Sequence, residues 1–336
     1  MTARSKTSQL RIARNYVGRR YLLINAWIWN HLPVSMKSLP SLTRYGGHIQ
    51  SLVQLRGKAQ STGTFFFRNR PELELLIRLL FQFRAGPPVD IAILGCSKGA
   101  EVYSFSYAIR TQRPDLKHRL LALDICKDVV DFAEAGAYSL EAKEGSGDES
   151  PVSLGRGGDV ALMTSKDQRR SIFERMSLED MDALFERGGE EVRVRPRFRE
   201  RISWRVGDAS DARLIEAVGL QDIVVANRFL CHMPPAEAEA CLRNLVRLVK
   251  SGGYLFVSGV DLAVRSKVAR ELGWKPVTEL IDEIHEGDTS LRRGWPLQYW
   301  GLEPLDRRRE DWEIRYASVF QMPAPVVPSD SALAQF

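Results

Sequence analysis

Two stretches of the chain bring together residue types that can do chemistry. Thr64-Phe65-Phe66-Phe67-Arg68-Asn69-Arg70 sets three aromatic rings beside two guanidinium groups, which could roof a pocket and grip an anion. Downstream, the apolar run Val89–Leu94 leads into Gly95-Cys96-Ser97-Lys98-Gly99 and a helix-like Glu101–Thr111. This order of strand, glycine turn and helix opens many nucleotide-binding folds. The glycine spacing narrows the ligand. A dinucleotide fingerprint needs G-x-G-x-x-G, and a phosphate-cradling P-loop needs Gly-Lys-Ser/Thr; neither is present. The next strand, Leu120–Leu123, ends in Asp124, a carboxylate placed to grip two ribose hydroxyls. Ribose recognition without a phosphate cradle points to S-adenosylmethionine rather than NAD or ATP. The competing reading is an ordinary strand–helix turn, with Asp124 as a helix cap.

These residues need a frame. Pro71–Phe83 reads as a helix with proline in its first turn and a repeating apolar face. Strand and helix then alternate: Val89–Leu94, Glu101–Thr111, Leu120–Leu123, Lys127–Ala135. Residues 141–165, rich in Gly and Ser, read as a mobile linker. Ser171–Phe185 reads as helical with a cap at Ser177, and residues 185–206 as a small β unit. The alternation resumes with Asp222–Ala226, a helix over Pro235–Lys250 stopped by Ser251-Gly252-Gly253, a strand over Tyr254–Val260 and a helix over Leu262–Leu272. Trp312–Phe320 reads as the last strand. The expected organisation is a basic helical domain over residues 1–85, an α/β domain over 86–321 and a disordered tail over 322–336.

Charge divides the chain. Residues 1–71 hold twelve Lys/Arg and no Asp or Glu, whereas the whole chain is only +6. A basic front on an acidic body suggests docking onto an acidic protein or another anionic acceptor. Peripheral attachment to an anionic membrane is a further option, and nucleic acid is not expected. The four cysteines form no C-x-x-C pair and the five histidines no metal-ligand spacing, so reduced cysteines, no metal and a cytoplasmic location are expected. The Arg-rich first thirty residues also have the composition of a mitochondrial transit peptide, but the basic run continues through Arg70.

Four blocks in order carry a family resemblance. They are Thr64-Phe65-Phe66-Phe67-Arg68, then Gly95 through Ser104 (GCSKGAEVYS), then Asp124-Ile125-Cys126 with Ala133, Gly136 and Tyr138, and finally Asn227-Arg228-Phe229-Leu230-Cys231-His232-Met233. Over roughly residues 60–260 the chain resembles the CheR-type methyltransferases, which esterify receptor glutamates with S-adenosylmethionine. The resemblance implies a Rossmann-like sheet with helices on both faces, a small inserted β unit and an N-terminal helical domain. It implies that Glu101 meets the ammonium of the cofactor's methionine moiety and Asp124 its ribose. Asp208 would lie near adenine, with Asn227 and Arg228 lining the cofactor beside Gly95, Ser97 and Gly99. Thr64 and Arg68 would lie near the transferring methyl. The chain departs from the family at Lys98, Ala100, the order Asn227-Arg228, and His232 where the family has tyrosine.

The departures leave the acceptor open. A carboxylate is ionised at neutral pH and needs only a cation to orient it, which Arg68 offers. A hydroxyl must lose a proton, and His232 could act as its base. Three functions follow: a carboxylate O-methyltransferase acting on a protein glutamate, an O-methyltransferase acting on a small-molecule or glycan hydroxyl, and a cofactor-binding regulatory module without turnover. Taken singly, the phenylalanines could be core, Arg68 a surface ion pair and His232 a helix cap.

Overall fold

The computed structural model describes residues 63–83, 86–140, 171–287, 303 and 305–323, with scattered residues between 21 and 45. Helix α1 (Arg70–Leu80) starts where Asn69 Oδ1 accepts the Glu72 backbone N–H at 3.2 Å, with Pro71 in the first turn. Its apolar face buries Leu75, Leu76, Leu79 and Leu80. Strand β1 (Val89–Leu94), helix α2 (Ala100–Gln112), strand β2 (His118–Asp124) and helix α3 (Lys127–Ala135) then follow. A three-stranded antiparallel sheet forms from β3 (Ala137–Ser139), β4 (Phe185–Gly188) and β5 (Glu191–Val194), in the order β3-β5-β4. Helix α4 (Leu178–Leu184) leads into β4 behind a capping box between Ser177 and Asp180. The main chain of elements continues with β6 (Ile202–Val206), β7 (Gln221–Val225), α5 (Pro235–Val246), β8 (Val249–Phe256), α6 (Leu262–Glu271), β9 (Lys275–Pro276), α7 (Ile281–Gly287) and β10 (Val319–Gln321).

The central sheet runs β6-β2-β1-β7-β8-β10-β9. Strands β6, β2, β1, β7 and β8 are parallel; β10 runs antiparallel to both β8 and β9. This is the expected Rossmann-like sheet. Both faces are covered, as a parallel sheet requires. Ile91 and Ile93 face one core with α1 and α2, while Ala92 and Leu94 face the other with α5. The chain leaves β1 toward β2 on one side and resumes at β7 on the other. Ligands bind beyond the carboxyl ends of strands at such a reversal.

Several expectations are corrected. Phe66 and Phe67 do not roof a pocket: both are buried in the same core as Ile91, and Phe66 meets Tyr138, Phe173 and Phe185 edge-on or stacked. Phe66, Phe67 and the buried face of α1 thus pack in the core that Ile91 and Ile93 face. Ile202–Val206, read as part of the small β unit, pairs with β2 in the main sheet. Helix α5 ends at Val246, and Gly252-Gly253 lies inside β8 rather than stopping a helix. A Cβ on Gly253 would come within 2.6 Å of the Asp222 carbonyl oxygen, so close strand packing requires the glycine. Trp312–Phe320 divides into a short helix (Trp312–Tyr316) and β10. The helices expected before residue 60, the linker at 141–165 and the tail fall wholly or mostly outside the described residues.

Candidate active site

The carboxyl ends of β1, β2 and β7 set the site. Beyond β1 the backbone turns sharply, with positive φ at Gly95 (68°), Ser97 (48°) and Gly99 (82°). The turn is tied to the tip of β2 by one side chain. Asp124 Oδ2 accepts the Ser97 N–H at 2.9 Å, and Oδ1 accepts the Cys126 N–H at 3.1 Å. Asp124 is buried, and its oxygens keep lone pairs to spare for further donors. The block from Ala133 to Tyr138 is tied to the same turn and to the helix after it. Tyr103 Oη donates to the Ala133 carbonyl and Tyr138 Oη to the Lys98 carbonyl, each at 2.7 Å.

At the tip of β7 lies a cleft lined by Arg68, Asn69, Glu72, Leu73, Glu101, Ser104, Phe105, Asn227 and Arg228. Four of the residues singled out in the sequence meet here: Arg68, Glu101, Asn227 and Arg228. Asn227 is the hub. Its Nδ2 donates to Glu72 Oε1 at 2.6 Å and to Glu101 Oε1 at 2.9 Å. Its Oδ1 accepts from the Ser258 N–H at 3.0 Å and the Ser258 hydroxyl at 2.7 Å. Arg228 holds a left-handed backbone, φ 66°, a strained conformation of the kind that clusters at functional sites. Arg68 is half-buried at the cleft wall. Its Nη2 donates to the Gly63 carbonyl at 2.9 Å and its guanidinium lies 5.6 Å from the Phe65 ring centre.

Electrostatics single out the two acids. Burial pushes the Glu72 carboxyl up to about 7, the nearby Glu101 charge adds to this, and Arg228, Asn227 and Arg68 oppose it. Burial also raises Glu101, against the Asn227 hydrogen bond and the charges of Arg68 and Arg228. Glu72 is the residue that the sequence reading missed. It sits in the first turn of α1, where an acid also suits the helix N-terminus, but it is buried on the same face as Leu75 and Leu76.

The remaining expected residues lie elsewhere. Thr64 is buried in the segment leading to Arg68 and does not line the cleft. Gly95, Ser97, Gly99 and Asp124 form the neighbouring β1–β2 tip. Asp208 Oδ1 accepts from Ser210, at 2.8 Å from its N–H and 2.6 Å from its hydroxyl. His232 is half-buried in a 3₁₀ turn after β7, outside the cleft lining, and Cys231 beside it raises its imidazole. None of the four cysteines forms a disulfide.

Residues 62–146 match the family described as CheR methyltransferase, SAM binding domain. This stretch of the chain is similar to a CheR-type S-adenosylmethionine-binding domain. Residues 178–257 match a second family, described as Methyltransferase domain. Three of the four sequence blocks lie within the CheR match and the fourth, Asn227–Met233, within the second; S-adenosylmethionine is the cofactor. Among curated proteins, the Probable biofilm formation methyltransferase WspC of Pseudomonas putida is 25% identical over 241 residues. The match covers 70% of this chain and 49% of that protein, so the chain spans about half the length of this relative. Solved structures resemble it distantly. The CurJ carbon methyltransferase is 11% identical with a TM-score of 0.36, covering 75% of this chain and 53% of that one. Magnesium protoporphyrin IX methyltransferase from Synechocystis, with bound SAM, is 14% identical with a TM-score of 0.33, covering 68% and 82%.

The donor set fits the cofactor. Glu101 and Asn227 offer a buried anionic corner for an ammonium, and Asp124 keeps acceptor capacity at the next strand tip. Among the described residues, no helix is long and apolar enough to cross a membrane.

Proposed function

We propose that the chain is an S-adenosylmethionine-dependent O-methyltransferase of CheR type that esterifies a carboxylate, such as a protein glutamate. The observation that carries this reading is the shared cleft of Arg68 and Glu101: a cation for an anionic acceptor beside an acid for the cofactor's ammonium. The bound cofactor would supply a methyl already activated on sulfonium. The protein's task is then placement. Glu101 and Asn227 would anchor the methionine end, and Asp124 the ribose. Arg68 would turn an acceptor carboxylate toward the methyl with its planar fork. Such orientation can supply about 7–11 kcal/mol. No base is required, because a glutamate is ionised above about pH 4.3.

The hydroxyl reading depends on His232 as a base. Its place outside the cleft lining weighs against that role. The twelve cations of residues 1–71 would dock an acidic partner. Methylation of the natural acceptor should therefore slow with rising salt, whereas binding of the cofactor should not.

The deciding experiment incubates the protein with methyl-labelled cofactor and host lysate. Label on protein that is released by mild alkali is the expected outcome, since esters are base-labile. Alkali-stable label on low-molecular-weight material would replace this function with the hydroxyl reading. Cofactor binding without label on any acceptor would mean a regulatory module.

A further inference from the structure

Asn227 holds together two acids that methyl transfer does not require as a pair. Its orientation is fixed, because Oδ1 is taken by the Ser258 N–H and hydroxyl. Its amide hydrogens must therefore face the acids, one nitrogen donating to both Glu72 Oε1 and Glu101 Oε1. Two carboxyl groups bridged by one amide in a buried cleft each make the other harder to ionise, and the arginines that line the cleft oppose this. The charged groups facing Glu72 are Glu101 from α2, Arg68 from the segment before α1 and Arg228 from the turn after β7. Helix α7 contributes a backbone carbonyl, Ile284, which is satisfied by Asn69 Nδ2. The two arginines pull Glu72 down, yet burial and Glu101 prevail and leave it near neutrality, at about 7. An acid in the first turn also suits the helix N-terminus, yet Glu72 is buried and its Oε1 accepts from Asn227.

We propose that Glu72, Asn227 and Glu101 form a paired-acid cradle for the ammonium of the cofactor's methionine moiety, which holds one proton when empty and releases it as the ammonium enters. The inference rests on the S-adenosylmethionine reading and adds Glu72 to it as a binding and specificity residue. The balance is simple. A singly protonated acid pair and a ligand ammonium become a doubly ionised pair around that ammonium, and one proton passes to solvent. The cradle thus selects ligands that carry the amino-acid end over those that carry the nucleoside alone.

Titration calorimetry on the full chain tests this with S-adenosylhomocysteine, in phosphate and in imidazole, between about pH 6 and about pH 8. Near pH 6, nearly one proton should leave per ligand bound, falling toward none near pH 8. Affinity should rise about tenfold across that range. Glu72→Gln should abolish both the proton release and the pH dependence. Methylthioadenosine, which lacks the ammonium, should bind wild type and variant alike without proton release. Should Glu72→Gln fail to fold, Glu101→Gln and the methylthioadenosine comparison carry the test. Tight wild-type binding with no proton release overturns the cradle and spares the cofactor reading. No binding of S-adenosylhomocysteine to the wild type overturns both.

Discussion

The tips of β2 and β7 lie on one edge of the same sheet and treat their acids in opposite ways. At the tip of β2, Asp124 is answered by two backbone donors, the N–H groups of Ser97 and Cys126. It is spent on shaping the glycine turn. At the tip of β7, Glu72 and Glu101 face each other through one amide, with burial raising both. One tip is preorganised and settled. The other stores an unfavourable charge that an incoming cation relieves. Binding sites need both kinds of corner, because shape fixes the pose and unmet charge supplies discrimination.

The sharpest way to break the comparison is Asp124→Ala. It strips an acceptor from two backbone donors as well as from the ribose, and hydrogen bonds to charged groups are each worth about 1.5–3 kcal/mol. Cofactor affinity should fall by two orders of magnitude or more in calorimetry, together with a lower melting temperature. Unchanged affinity would remove Asp124 from the site.

Glu72→Gln should act in the opposite sense on stability. A carboxyl raised from about 4.5 to about 7 by folding binds more protons in the native state between those values. Native stability therefore falls as pH rises through that window and is level above it. Removing the acid should stabilise the ligand-free protein at pH 8 by up to about 3 kcal/mol and change little at pH 5. Urea unfolding at the two pH values measures the difference; equal effects at both would deny the stored charge.

Arg68→Lys comes next. Lysine keeps the charge but loses the planar fork, so turnover should fall roughly 10–100-fold while cofactor affinity changes less than threefold. Equal losses would make Arg68 a cofactor-binding residue. The smallest effect is expected at His232→Gln: a rate within about threefold of wild type, flat from about pH 6 to 8. A rate that rises with pH and collapses in the variant would restore the hydroxyl acceptor.

The strand tips were the legible part of the site. Glycines, Asp124 and Asn227-Arg228 each follow an apolar run, and a residue at such a position has one place to go. Glu72 was not read, though two signs were present. It is the first acid after seventy-one residues without one, and it interrupts an apolar helical stripe. What no periodicity could supply was its partner, since Asn227 lies 155 residues away. The phenylalanine run misled because chemistry was read from residue type alone, while packing decides which way a ring points. Phe66 and Phe67 turn into the core, where Phe67 still carries Arg70 over its ring, and Phe65 stays between Arg68 and Arg175. Gly252-Gly253 looked like a helix stop for a similar reason. Its use is to let β8 approach β7 where their register shifts.

The reversed strand β10 imposes an order on assembly. It lies between β8 and β9, pairing Val319 with Phe256, Phe320 with Leu255 and with Pro276. Every residue that lines the cleft comes earlier in the chain. During synthesis the cleft's own residues are thus complete while β8 still shows an open edge and β9 still lacks its neighbour. Closing the sheet is a late, distant pairing, the slow kind, and unpaired edges invite other strands. A chain stalled before Val319 would hold all the site's chemistry on a sheet still adhesive to its neighbours.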